Sequence, residues 1–252
     1  MNDAPSTTFD SVLGGRVTLH QPAVGYRVAI DPILLAAACP AEPGERVVDL
    51  GCGVGTATLC LARRVDGVHC TGIDLLPELT ELANRNAADN GLAGRVSFIA
   101  GDILDRSLPI YGTRADHVIV NPPYLKRGAA TPSENPIKAL ANIEGDADLA
   151  AWIAAAAKAV RPGGTITFIH RADRLPELLA LLGSRCGGIA ILPLHPKAGA
   201  AAHRAIVTGR LDQRLPAILL PGLIVHEADG SFSPTLQGIL RDGAALPMIV
   251  GA

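Results

Sequence analysis

From residue 46 onward, short runs rich in β-branched residues alternate with runs of helical spacing, and the first joint between them reads "VVDLGCGVGTATLCLARR". Strand, glycine turn and helix in that order leave few folds open. Parallel neighbours in a sheet need a crossover element between them, and a helix is the usual one. The glycines let the backbone bend sharply from strand to helix. The pattern then repeats. "VHCTGIDLL" reads as a second strand and "PELTELANRNAADNGL" as a helix, with Pro77 at its start, Leu79, Leu82 and Ala83 at helical spacing and Gly91 at its end. "RVSFIAGD", "ADHVIV" and "TITFIH" supply three more strands, and "DADLAAWIAAAAKAV" and "LPELLALLG" two more helices. "GIAILPLHP" and "HRAIVTGR" form the one place where an antiparallel hairpin fits. The fold expected is α/β, Rossmann-like, with a seven-stranded and mostly parallel sheet, helices on both faces and a C-terminal antiparallel hairpin.

Ahead of the sheet, residues 1–45 read as a preface: a small hairpin, then "DPILLAAA" with Asp31 as N-cap and Pro32 at the first helical position. Residues 46–252 form the main domain. At 252 residues and 48% apolar content the chain can bury a full core. Its 22 basic residues nearly cancel its 24 acidic ones, so no global basic field advertises a nucleic acid or an anionic membrane. The longest apolar windows, "ILLAAAC" and "LAAWIAAAA", fall short of the roughly 20 residues a bilayer span needs. A polar N-terminus carries no secretion signal, and the expected location is the cytoplasm, as a monomer. The five cysteines form no CxxC pair and read as buried free thiols. His117 and His170 lack partners at ligand spacing, so no metal is expected.

The glycine turn suits a nucleoside cofactor, whether NAD, FAD or S-adenosylmethionine. Gly51, Gly53 and Gly55 let a bulky ligand approach the main chain, Cys52 lies within the turn, and Asp74, with Leu75 beside it, ends the second strand where ribose hydroxyls would be received. Asp49 separates the three cofactors by charge. A pyrophosphate would meet its carboxylate as a like charge, whereas a cationic amino-acid moiety would be attracted. Asp102 ends strand three at the same edge, where it either binds the adenine amino group or serves as a turn residue. Strand four then stops in "NPPY", Asn121, Pro122, Pro123 and Tyr124, followed by an irregular stretch over 125–143 whose length suggests work on a ligand.

"DLGCGVG", "GIDL", "AGD" and "NPPY" in this order resemble the class I S-adenosylmethionine-dependent methyltransferases that act on amino groups conjugated to a π system. With the preface "QPAVGYRVAIDPILLAAA" and the hairpin "LPLHPKAGAAAHRAIVTGR", the chain is most similar to the bacterial tRNA adenine-N6 methyltransferases that act beside the anticodon of valine tRNA. The resemblance implies S-adenosylmethionine as cofactor and RNA as partner, with Gln21, Arg27 and Asp31 in a segment that covers the cofactor. Asn121 also belongs to the cofactor's surroundings.

An exocyclic amino nitrogen shares its lone pair with the ring and is a poor nucleophile while planar. The side-chain oxygen of Asn121 and the carbonyl of Pro122 can accept its two hydrogens and redirect the lone pair, while the prolines hold that carbonyl still. Tyr124 offers a ring for the base to stack on. Lys126, Arg127 and Lys138 after the tetrad, with Lys197, His203 and Arg204 later, are candidates for phosphate contact, or simply solvated charges. Trp152 reads as core. A glutamine side-chain amide in a release factor, or guanine N2 in rRNA, is also planar and would suit the same tetrad. From a different class, the chain could be a non-catalytic nucleoside-binding module.

Overall fold

The structure is a computed structural model and describes residues 7–23, 29–123 and 147–248. β1 (Thr7–Val12) and β2 (Val17–Pro22) pair as an antiparallel hairpin, and α1 (Asp31–Ala38) follows. The alternation then runs β3 (Arg46–Leu50), α2 (Thr56–Arg64), β4 (His69–Asp74), α3 (Pro77–Asp89), β5 (Val96–Ala100) and β6 (Ala115–Val120). It continues through α4 (Leu149–Ala159), β7 (Val160–Arg171), α5 (Leu175–Gly183), β8 (Cys186–Lys197) and β9 (Arg204–Leu211).

Across the sheet the order is β8-β9-β7-β6-β3-β4-β5. Neighbours are parallel except β9, which runs antiparallel to both β7 and β8. This is the expected seven-stranded sheet with its C-terminal hairpin. Two short strands that the sequence reading did not anticipate, β10 (Ile218–Leu219) and β11 (Leu223–His226), add in parallel to the outer side of β8. Runs of two and four residues are too short for alternation to stand out.

Helices cover both faces, and strand periodicity sorts the core accordingly. On β6, Ile119 packs with the cluster that holds α1, α2 and the hairpin. Val118 and Val120 pack with the cluster under α4 and α5. Successive side chains point to opposite faces, and both faces are apolar, as a sheet buried on two sides requires. All five cysteines are buried free thiols, and burial pushes Cys39 and Cys60 up to about 12, so they stay protonated.

Helix α3 begins at Pro77, ends at Asp89 and is followed by Gly91 in the left-handed region, as its sequence suggests. Its asparagines were not anticipated. Asn84 accepts from Phe98 N and donates to Phe98 O at 3.0 and 2.8 Å. Asn86 does the same for His20 at 2.7 and 3.1 Å, and Asn90 for Thr18 at 2.9 and 2.7 Å. The hairpin is thereby fastened to α3 through its own main chain. Helix α1 differs by one residue from expectation: Ile30 is the N-cap and Asp31 the first helical residue. The Asp31 carboxylate pairs with Arg204, at 3.2 Å from Nε.

Candidate active site

The parallel strands β3 to β7 all end at one edge of the sheet. Arg204 joins them there because it pairs with Arg171 across β7 and β9, and Lys197 ends β8 at the same edge. The glycine turn leaves β3 at this edge. Gly51 N and Cys52 N both donate to Ile73 O, at 2.8 and 3.0 Å, and Gly55 N closes the turn on Cys52 O at 2.9 Å. Gly51, Gly53 and Gly55 have φ of +74°, +54° and +85°, where L side chains are strained.

The three glycines do different things. A Cβ on Gly55 would lie 2.5 Å from the Phe98 ring, and one on Gly51 would lie 2.9 Å from the Trp152 ring. Protein aromatics therefore fill those two spaces, one from each face of the sheet. Of the three, only Gly53 has none of the described residues within 4 Å of where its Cβ would stand. Gly51 and Gly55 are thus needed for packing as well as for the bend of the turn. Trp152 is core, as expected, but it is also the support on which Gly51 rests.

Asp49 is 2% exposed and accepts a 2.6 Å hydrogen bond from Thr58 Oγ1. Burial pushes its pKa up to about 7, against the lowering effect of the Thr58 hydroxyl and with a further upward push from Asp74. No cation pairs with it among the described residues. Asp74 accepts from Gly53 N at 2.9 Å through one oxygen and from Leu76 N at 3.0 Å through the other, which ties the end of β4 to the turn. Burial raises its pKa too, although those backbone donors oppose it. Leu75 stands 59% exposed beside it. Asp102 is exposed and its side chain accepts from Leu104 N at 2.8 Å, so it does have the turn role.

Asn121 and Pro123 are half-buried and Pro122 is buried, directly past the end of β6. Tyr124, Lys126, Arg127, Lys138 and Arg27 lie outside the described residues. Arg204 and Asp31, assigned separately from the sequence to phosphate and cofactor, are brought together as an ion pair. His170 is the penultimate residue of β7 and pairs with Ala205, next to Arg204. Burial, then the charge of Arg174, lower its pKa to about 4, so its imidazole is neutral at physiological pH. Among the described residues no group of acidic, histidine or cysteine side chains has the spacing to hold a metal ion. Sequence reasoning missed Thr58 and Phe98. Thr58 stands nine residues past Asp49 in the first turn of α2, a spacing that could have flagged it.

A parallel sheet of this order, with an open glycine turn on its first strand and a carboxylate ending its second, defines a Rossmann-like nucleotide-cofactor enzyme. The family model described as "Methyltransferase domain" matches residues 41–190. A curated relative in Porphyromonas gingivalis, a tRNA1(Val) (adenine(37)-N6)-methyltransferase, is 31% identical over 87% of this chain and 89% of its own. Its counterpart in Actinobacillus pleuropneumoniae is 27% identical over 85% and 89%. A crystal structure from Agrobacterium tumefaciens, described as a predicted O-methyltransferase, superposes with a TM-score of 0.71 at 28% identity, covering 87% of this chain and all of that one. The chain therefore belongs to the methyltransferase-domain family, in the branch that contains the bacterial tRNA1(Val) (adenine(37)-N6)-methyltransferases. It is a methyl-transferring enzyme.

Proposed function

We propose that the enzyme transfers the methyl group of S-adenosylmethionine to the N6 amino nitrogen of an adenine in tRNA, in the cytoplasm. The observation that carries this reading is the placement of Asn121 and Pro122 past the end of β6, the strand next to β3 and its glycine turn. The names of the relatives support adenine in tRNA as the target.

The turn fits this cofactor by its chemistry. Gly53 leaves the backbone open, the apolar side chain of Leu75 is exposed where an adenine can lie on it, and Asp74 has lone pairs left for ribose hydroxyls. Asp49 is a buried carboxylate with no cation beside it among the described residues, so it favours a positively charged amino-acid group over a pyrophosphate. The bound cofactor supplies an electrophilic methyl on a sulfonium.

The residues of this chain supply orientation. The amide oxygen of Asn121 and the carbonyl of Pro122 accept the two N–H hydrogens of the amino group and turn its lone pair toward the methyl. Pro122 and Pro123 restrict φ, so the accepting carbonyl is placed before the base arrives. Transfer to nitrogen creates a cation, which those oxygens stabilise, and the proton leaves afterward without a dedicated base. Proximity provides much of the remaining rate. Asp102 at the end of β5 is assigned to the adenine amino group of the cofactor, Arg27 and Asp31 to its cover. Lys126, Arg127, Lys138, Lys197 and Arg204 are assigned to phosphate.

The test is methylation by purified enzyme with labelled S-adenosylmethionine, offering total tRNA, rRNA and a release factor separately, with nucleoside mass spectrometry of the product. N6-methyladenosine in tRNA is the expected result. Label only in protein would overturn the reading.

A further inference from the structure

A second concave surface lies at the opposite, amino edge of the sheet. It is an open groove of about 870 Å³, bounded by the ends of α4 and α5, the connection from β5 to β6 and the segment after β9. Among the described residues Arg106, Arg114, Lys158, Arg185 and Arg214 line it against a single carboxylate, Asp212. Basic and acidic residues nearly balance over the whole chain, so this is a local segregation of charge.

Among the described residues the side chains of these five cations form no hydrogen bond or ion pair. Several arginines elsewhere are tied down: Arg64 donates to the carbonyls of Ala36 and Cys39, Arg95 to that of Val65, and Arg161 to Asp116. The guanidinium groups of Arg114, Arg185 and Arg214 make no hydrogen bond or ion pair among the described residues. Lys158 and Arg106 lie over the ring of Tyr111, at 4.9 and 5.8 Å from its centroid. The negative ends of the helix dipoles account for a cation near the last turn of α4 and another after α5, which are Lys158 and Arg185. They do not account for Arg106, Arg114 and Arg214, which lie in connecting segments. Five donors directed into one open groove suit a run of phosphates better than a single small anion.

The position of the groove decides what kind of polyanion can use it. Arg114 immediately precedes β6, and Asn121 immediately follows it. A strand of that length places the two about 20 Å apart, so a ligand held at both must be an extended polyanion that also carries the reacting base. We propose that this groove binds backbone phosphates of the RNA substrate at a distance from the methylated nucleotide, contributing affinity and no chemistry. The inference rests on the RNA reading above.

The test uses the full chain with Arg185→Gln and Arg214→Gln combined. Both side chains are exposed, so folding is retained, and unchanged S-adenosylhomocysteine affinity checks it. KM and kcat are measured for full-length tRNA and for a short anticodon stem-loop, over a range of salt. KM for full-length tRNA rises about tenfold, and the slope of log affinity against log salt falls by about 1 to 2. In contrast, kcat and the KM for the stem-loop stay within twofold. Unchanged KM and salt slope for full-length tRNA overturn the proposal. Loss of binding to anionic lipid vesicles with tRNA unaffected overturns it as well, in favour of a membrane. A wild-type enzyme that binds and methylates no RNA sinks the RNA reading itself, and that outcome is visible without the variant.

Discussion

Asp49 on β3 and Asp116 on β6 sit on adjacent strands near opposite ends of the sheet, and their surroundings push them in opposite directions. Burial raises both. At Asp49 only the Thr58 hydroxyl opposes it substantially, and the carboxyl stays up at about 7. At Asp116 the Arg46 N–H at 2.9 Å and the Arg161 guanidinium at 2.7 Å more than compensate, and its pKa falls below the ordinary carboxylate range. Its neighbour His117 is equally well held, between Thr165 Oγ1 at 2.7 Å and Glu45 at 2.8 Å. The start of β6 is thus finished internally, while among the described residues no cation completes the strand end at Asp49. A polar group left incomplete at a buried position costs stability and is retained where a ligand completes it.

The comparison breaks most readily at Asn121. Asn121→Ala is expected to lose on the order of a hundredfold or more in turnover, by analogy with removing one transition-state hydrogen-bond partner, with cofactor affinity little changed. Steady-state kinetics and calorimetry together measure both. Within the glycine turn, Gly55→Ala should cost about 3 kcal/mol, because a Cβ there is strained and meets Phe98. Gly53→Ala should cost about 1 kcal/mol in stability but interfere with cofactor binding, since its space is open. If chemical denaturation ranks the two the other way, the division of labour among the glycines is wrong.

Asp49 yields a pH prediction. Between the ordinary value of 3.8 and about 7, the folded protein holds a proton that the unfolded chain has released. Stability of the unliganded enzyme therefore falls as pH rises through that window, and Asp49→Asn should flatten the slope. A cationic ligand next to the carboxylate favours its ionised form, so S-adenosylhomocysteine should bind more tightly at pH 8 than at pH 6 and release a proton near neutrality. Calorimetry in buffers of different ionisation enthalpy counts that proton, and an uptake instead of a release would remove Asp49 from the ligand's surroundings. The smallest effect belongs to the other aspartate. Asp116→Asn should change stability by no more than about 1 kcal/mol and leave turnover unaltered.

The sheet and the order of its motifs were legible because each strand and helix has a pattern of its own length scale. "RVVDL", "ADHVIV" and "LPELLALLG" fold where their periodicity places them. What escaped the sequence depends on residues distant in the chain. Nothing in Gly51 or Gly55 says that Trp152 and Phe98 will fill the space beside them, and nothing in Asp31 says that Arg204 will reach it across the fold. The basic groove is likewise assembled from four separate segments. One signal was present and passed over. "NRNAADN" places two asparagines inside a helix, where their competition for backbone hydrogen bonds makes them poor formers, and a third at its C-cap, so the first two needed another reason to be there.

That reason has a consequence for how the molecule meets copies of itself. β5 is the outermost strand on one side of the central sheet, and β2 belongs to a two-stranded ribbon with an open side. Such borders present rows of N–H and C=O groups and act as templates for another chain, the first step toward aggregation. The amides of Asn84, Asn86 and Asn90 occupy the main-chain groups of Phe98, His20 and Thr18 that an incoming strand would take up. A helix thus closes two open borders with side chains alone.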